Sequence, residues 1–312
     1  MGERASNPDA RQERPSVGAC VLLAGAIKPS PLVEAAGFST LDFLIGPDTT
    51  LLDEWGMRLI EMGIEGSRVM AVHGANVPSP TATPGTIAMR IRRERDHLRG
   101  PAGAARDAAA EIEGHEALLI AEAKRHPGMT LAPLFRAWHE TDADIVVARN
   151  PSGAPAGLYI TRTELLELVP KRGFMDLKEQ WLGKAAAGGA RVLVVDLPEP
   201  GTMPVRILPQ YLRVALGAGG FESFATGLVD PGRPRRALVS PGASIDPSAD
   251  LIDAVVMEGA SVGAGALVVR SVVCPGARVE PGGELVDAVM TENGKRSDKM
   301  YAGTAAARRG WR

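Results

Sequence analysis

Few side chains in this 312-residue sequence combine the types and spacing that chemistry requires. Asp176 and Glu179 stand three apart at the start of a helical run, so they share one helix face, where two acceptor carboxylates could hold a hydroxylated sugar. The same spacing suits a helix cap, with Asp176 at the N-cap and Glu179 at N3 in a capping-box-like arrangement. Both readings stand on the sequence. All five histidines (73, 97, 115, 126 and 139) lie upstream of a C-terminal repeat, which therefore has no imidazole base of its own. Cys20 and Cys274 are the two cysteines, each in an apolar run and far apart, which argues against a disulfide framework and a thiolate zinc site.

The elements that must position these groups are read from periodicity. Val17 to Gly25 (VGACVLLAG) is a short apolar run ending in glycine, as where a buried strand feeds a loop. Thr50 to Gly63 places Leu51, Leu52, Trp55, Leu59 and Met62 at helical spacing with a glycine stop, and Arg68 to His73 is a second strand. Strand, loop, helix and strand in that order make a βαβ unit. The pattern continues through Ile87 to Arg93 (strand), Ala102 to Ile112 (helix), Ala117 to Ala121 (strand), Leu131 to Thr141 (helix) and Ala143 to Ala148 (strand). Leu158 to Ile160 opens another unit, followed by helices at Thr163 to Val169 and Leu177 to Ala187, a strand at Arg191 to Leu197 and a helix at Pro209 to Gly217. This alternation predicts an α/β domain with a mixed, mainly parallel sheet over 16–217, after a disordered tail at 1–15. Only 6 Phe, 3 Tyr and 4 Trp are present, so the core must be built from aliphatic side chains, as doubly covered parallel strands require.

From Val239 the chain is periodic. Aliphatic residues fall at Val239, Ile245, Leu251, Val256, Val262, Val268, Val273, Val279, Leu285 and Met290, spaced 6, 6 and 5 three times over, a coil of 17 residues. Four residues after these positions lie Ala243, Ala249, Val255, Ala260, Ala266, Val272, Ala277, Gly283 and Val289, read as small interior partners. Such spacing predicts a left-handed β-helix of hexapeptide repeats over 237–292, with Pro-Gly pairs at its corners. A linker at 218–236 precedes it and a tail at 293–312 follows. A solenoid without a catalytic base is expected to cap the first domain or to form a homo- or hetero-oligomer contact.

Composition sets the remaining bounds. The chain is 45% hydrophobic and 23% charged with net charge −2, which excludes wholesale disorder and gives no electrostatic reason to expect nucleic acid. No apolar stretch is long enough to span a membrane, and the charged N-terminus lacks the apolar core of a signal peptide. A cytoplasmic location is the expectation.

Four local patterns, taken in order, resemble the sugar-phosphate nucleotidyltransferases (nucleotide-sugar pyrophosphorylases), the mannose-1-phosphate guanylyltransferase branch above all. Leu23-Ala24-Gly25 followed by Pro31-Leu32 is similar to the family's opening loop; Leu51-Leu52-Asp53 with Leu59 to Ile64 is similar to its first helix. Gly100-Pro101-Ala102-Gly103-Ala104 resembles the family's G-T-A-G-A, where backbone approaches the nucleotide base. Gly157-Leu158-Tyr159-Ile160 and Asp176-Leu177-Lys178-Glu179-Gln180 resemble the strand and helix behind the sugar pocket. The resemblance, joined to the β-helix, implies a Rossmann-like nucleotidyltransferase fold. It also implies a reaction of a nucleoside triphosphate with a sugar 1-phosphate that releases pyrophosphate, by in-line transfer assisted by Mg²⁺. On that resemblance Leu23, Ala24, Gly25, Gly100, Ala102 and Gly103 are nucleotide-binding candidates, and Gly157, Asp176, Lys178 and Glu179 sugar-binding candidates.

The charged parts depart from the family pattern. The opening loop is two residues shorter, keeps only Gly25 among its glycines and has no arginine. Pro29 and Pro31 remove backbone donors that phosphates would need, leaving Lys28 as the sole cation and the catalytic candidate. No cation occurs near Ser39-Thr40. Glu122 follows the strand whose end should carry the first metal aspartate, one position out of register, and is the metal candidate. Where a second metal aspartate belongs, Val205 to Tyr211 has Arg206 instead. Losing one oriented donor typically costs about 10²–10³ in rate, and several are missing together. The expectation is a homologue with weak or no pyrophosphorylase activity, a pseudoenzyme that binds a nucleotide or nucleotide sugar or regulates its metabolism. Alternatives are an active enzyme with a rebuilt loop, using Lys28 and Mg²⁺ on Glu122, and a structural partner of an intact relative. Mg²⁺ is the expected cofactor if the chain is active, and none otherwise.

Overall fold

The computed structural model describes residues 15–25, 28–81, 88–94, 99–217 and 236–296. The N-terminal tail and linker expected from the sequence therefore lie almost wholly outside the described residues.

Seven strands form the central sheet: β1 (Val17–Leu23), β2 (Val69–His73), β3 (Arg90–Arg93), β4 (Ala117–Glu122), β5 (Ile145–Arg149), β6 (Pro155–Arg162) and β7 (Val192–Asp196). Their order is β7-β5-β6-β4-β1-β2-β3. β1 pairs parallel with both β2 and β4, β2 with β3 and β5 with β7. β6 alone runs antiparallel, between β4 and β5. The reason is local. Asn150-Pro151-Ser152-Gly153 turns the chain directly from β5 into β6, closed by Asn150 N–H donating to the Ala154 carbonyl at 2.8 Å with Gly153 at φ +81°. A hairpin that short cannot make the crossover a parallel neighbour needs.

The helices are α1 (Pro31–Ala36), α2 (Leu51–Glu61), α3 (Gly100–Ala109), α4 (Ala132–Glu140), α5 (Leu182–Ala187, entered through one wide turn at Leu177–Trp181) and α6 (Leu208–Gly217). Residues 163–168, expected as an α-helix, wind more tightly as 3₁₀. α2 starts with a full capping box, in which the Thr50 hydroxyl accepts from Asp53 N–H and the Asp53 carboxylate accepts from Thr50 N–H at 2.9 Å. β1 alternates between two cores, Cys20 and Leu22 facing α2, α4 and α6, Ala19, Val21 and Leu23 facing α3 and the α5 region. Helices thus cover both faces of the sheet.

The C-terminal part consists of three parallel ladders. Val239, Val256, Val273 and Met290 stack in register on the first, Ile245, Val262 and Val279 on the second, and Leu251, Val268 and Leu285 on the third. Every predicted aliphatic position therefore sits above its equivalent one coil earlier, and the ladders fit a β-helix. Asp253, Arg270 and Asp287 take positive φ at one corner of successive coils. Arg236 pairs with Asp253 at 3.0 Å and Arg270 with Asp287, a charge alternation that opposes slipping by one coil. The chain then reverses, and Gly294–Arg296 pairs antiparallel with Val289–Thr291.

One part of the repeat reading is corrected. Val255, Val272 and Val289 are not interior partners; they belong with Leu238, Met257 and Cys274 to the core shared with α6 and the sheet. The small interior residues on that side are Ala254, Ser271 and Ala288, one position earlier. The five-residue spacing shortens this side of the coil, so the inward residue shifts by one and the neighbouring valines form an outward apolar stripe. That stripe packs on the α/β part, so the solenoid docks by a flank.

Candidate functional site

β1 sends the chain to β2 on one side and its other neighbour is β4, so the strand order switches between β1 and β4. Ligands of open α/β sheets bind beyond the carboxyl ends of strands at such a point. A cleft of about 270 Å³ opens there. Its floor is Leu23 and Gly25 at the end of β1 and Val72 at the end of β2. One wall is the start of α3 (Gly100, Pro101, Ala104) with Phe174, Asp176, Leu177 and Lys178; the other carries Glu122, Lys124, Tyr159 and Arg206. Glu94 also lines the cleft.

The structure thus gathers Leu23, Gly25, Gly100, Glu122, Asp176 and Lys178 from the sequence candidates. Ala24, Ala102 and Gly103 lie beside the cleft as packing residues. Ala24 N–H donates to the Val72 carbonyl at 2.8 Å, and Ala102 N–H to the Met175 carbonyl at 3.1 Å. A Cβ at Gly103 would come within 2.8 Å of Arg99, and one at Gly100 within 2.7 Å of the Met175 carbonyl oxygen. Glycine here lets the 170–175 loop close against α3. With Pro101 lacking an N–H and Ala102 spending its own on Met175, the start of α3 offers a ligand few of the donors that helix N-termini usually present. Gly157, at φ +72°, makes room for Glu122, whose side chain a Cβ would meet at 2.9 Å. Lys28 is exposed and does not line the cleft; Glu179 points to solvent and pairs with Lys178 at 3.0 Å.

Asp176 takes the capping geometry, its carboxylate accepting from Lys178 and Glu179 N–H at 2.8 Å each. The reciprocal bond comes from Gln180, whose side-chain oxygen accepts from Asp176 N–H at 2.8 Å, rather than from Glu179. Asp176 still borders the cleft, so one carboxylate serves both as a helix cap and as part of the cleft lining.

Two of the cleft's cations, Lys124 and Arg206, are what the sequence reading passed over or noted only as a loss. Lys124 and Arg206 meet because residues 203–204 pair antiparallel with 125–126 and Val205 N–H donates to the Lys124 carbonyl at 2.9 Å. Arg206 is anchored further by Leu32 N–H on its carbonyl at 3.1 Å and by the Gln210 side chain on its N–H at 3.1 Å. Trp55 of α2 fixes the other segment, its indole N–H shared between the Ala123 and Arg125 carbonyls at 3.1 and 3.0 Å. Lys124 Nζ donates to the Gly25 carbonyl at 2.8 Å. Burial first, then the Arg206 charge, brings its pKa down to about 8 against the opposing pull of Glu122. Burial chiefly holds the Tyr159 hydroxyl up at about 12, so it stays a neutral donor.

Glu122 lies 3.6 Å from Arg206 and 3.8 Å from Arg125. Among the described residues no group of three histidine, cysteine or acidic side chains converges to hold a metal ion. The cleft's other carboxylates, Glu94 and Asp176, do not join Glu122 in such a group, and Glu122 itself, flanked by two guanidiniums and an ammonium, does not suit Mg²⁺, which wants oxygen ligands and an electronegative field. The described residues therefore do not fit the divalent ion that the family resemblance implies. Among them, too, no helix is long and apolar enough to cross a membrane.

Comparison with known proteins yields likeness in structure but not in sequence. No protein-family model and no curated protein matches the chain. The crystal structure of HddC from Yersinia pseudotuberculosis matches with a TM-score of 0.50 at 13% identity, covering 64% of this chain and 98% of HddC. HddC complexed with GMP-PN gives the same values. A homologue of Mycobacterium tuberculosis rv0371c from Mycobacterium sp. strain JC1 matches at a TM-score of 0.46 and 14% identity, over 64% and 96% of the two chains. At such identity the HddC likeness shows the fold alone: a mixed α/β domain built on a parallel-rich sheet.

Proposed function

We propose that the chain is a sugar-phosphate nucleotidyltransferase homologue whose cleft binds a nucleotide or nucleotide sugar, with weak or no pyrophosphorylase activity, and whose C-terminal coils form a left-handed β-helix. The observation that carries this reading is the cleft at the β1/β4 switch point, which combines apolar walls with Lys124, Lys178 and Arg206. Those are the ingredients for a base or sugar ring and an attached phosphate. Low catalytic power is supported by the poverty of the opening loop. Ser30 is spent as the cap of α1, accepting from Val33 N–H, and Pro31 begins that helix, so among the described residues of the loop few donors face the cleft where a triphosphate would need them. HddC has been solved in complex with GMP-PN, which makes guanine nucleotides the first to try.

A thermal-shift panel of GMP, GTP, GDP-mannose, UDP-glucose, ADP-glucose and dTDP-glucose tests the binding. A ligand that binds only the folded state raises its stability by about 2.7 kcal/mol at a hundredfold excess over Kd. A panel that moves Tm nowhere refutes binding. Pyrophosphate release from a sugar 1-phosphate and a nucleoside triphosphate at ordinary enzyme rates of about 1–10³ s⁻¹ refutes the low activity.

A further inference from the structure

The basic side of the cleft deepens the nucleotide-binding reading. Resting on that reading, we propose that Lys124 and Arg206 supply, as fixed side-chain charges, the counter-charge that a divalent cation would otherwise bring to a phosphate, so that this cleft binds its phosphorylated ligand without a metal. Three features point the same way. Both residues are held by backbone pairing between 124–126 and 203–205, so their relative position is set before any ligand arrives. Lys124 is largely desolvated while its one hydrogen bond among the described residues goes to a neutral carbonyl, so an anion within reach satisfies a charge already removed from water. Arg206 has half its side chain in solvent and a loose 3.6 Å contact to Glu122, which leaves its planar fork free to turn onto a phosphate.

Glu122 takes a different part from the one its position beside β4 implied. It lies between Arg206 and Arg125, with Lys124 two residues on, so its carboxylate orients cations instead of recruiting one. A metal role and an orienting role make opposite demands on the same variant. Neutralising Glu122 removes a ligand in the first case; in the second it strengthens the positive field felt by the phosphate.

The probe is the nucleotide sugar, among the four in the thermal-shift panel, that gives the largest shift, titrated calorimetrically in EDTA and again in excess Mg²⁺. The expected Kd in EDTA lies within about threefold of that in Mg²⁺, and Arg206→Gln weakens binding about tenfold or more in both, as loss of a charge-assisted contact does. At about pH 6, where Lys124 keeps its proton in wild type and variant alike, Glu122→Gln leaves the affinity unchanged or tightens it. Arg206→Lys restores part of the loss, which separates the charge from any disturbance of the fold, and the half-exposed position of Arg206 favours intact folding in both variants. Binding that weakens about tenfold or more in EDTA, or that Glu122→Gln abolishes, overturns the metal-free site and leaves the nucleotide-binding reading standing. No binding of the probe in either condition overturns the metal-free site, and overturns the nucleotide-binding reading as well when GMP and GTP also leave Tm unmoved.

Discussion

Removing the charge on Arg206 is expected to raise the proton affinity of Lys124. In the folded protein that ammonium titrates at about 8, against 10.5 for an unperturbed lysine, and the difference disfavours its charged form by on the order of 3 kcal/mol. Burial is the larger cause and the Arg206 guanidinium the second, while Glu122 pulls the other way. Arg206→Gln therefore recovers only part of the gap, whereas Glu122→Gln moves the midpoint lower still. The other charged groups facing Lys124 across the cleft are Glu94, Asp176 and Lys178, and the Tyr159 hydroxyl stays protonated throughout. Reductive ¹³C-methylation followed by an NMR pH titration reads the midpoint directly, with a Lys124→Arg variant assigning the signal. The same shift sets a sign for stability: between about 8 and 10.5 the unfolded chain holds this proton and the folded one does not, so Lys124 makes stability rise with pH across that window. An anion bound at Lys124 pulls the proton back, so affinity falls toward about tenfold per pH unit above about 8, and Lys124→Arg flattens that fall. A wild-type Lys124 that titrates with the solvent-exposed lysines refutes the desolvated placement and everything drawn from it.

Three further outcomes test the supports of the site. Trp55→Phe keeps most of the packing but leaves the Ala123 and Arg125 carbonyls without their donor; denaturant melts should show a loss of about 1–3 kcal/mol, with weaker ligand binding as the 123–125 segment loosens. Buried His126 is held neutral by desolvation and the Arg58 charge, its pKa down at about 4 and its Nδ1 accepting from Gly128 N–H at 3.1 Å. The unfolded chain therefore takes up a proton first, and Tm should fall as pH drops from about 6.5 to about 4, a slope that His126→Gln reduces. Leu285→Ala empties a fully buried place on the third ladder and should cost about 2–5 kcal/mol by chemical denaturation.

Anchoring residues matter as much as the cleft's own lining. Arg99, 3% exposed, forks onto both Asp107 oxygens at 3.0 Å and donates to the Pro170 carbonyl at 2.7 Å and that of Gly173 at 3.2 Å. That clamp ties the loop bearing Phe174 to α3. Phe174 itself is half exposed at the cleft rim, where an aromatic face is available to a ligand ring.

Much of the fold is legible in the sequence because its signals are local. Val17 to Leu23 reads as a buried strand from its unbroken apolar run, and α2 from its 3.6-residue periodicity between Thr50 and Gly63. The 17-residue ladders follow from spacing alone, since each coil must repeat the last to stack. The antiparallel direction of β6 has an equally local cause in the Asn-Pro-Ser-Gly turn, but the sequence reading opens a unit at Leu158 without drawing a direction from it. Tertiary structure decided what no repeat or motif records. It turned Val255, Val272 and Val289 outward onto α6, because the inward side of a coil depends on the path of the whole coil. It made Asp176 a cap and a cleft residue together, and it set Glu122 between two arginines. Above all it brought Arg206 to Lys124. That encounter rests on single, unrepeated contacts between segments distant in the chain, and such contacts leave no periodic trace in a sequence.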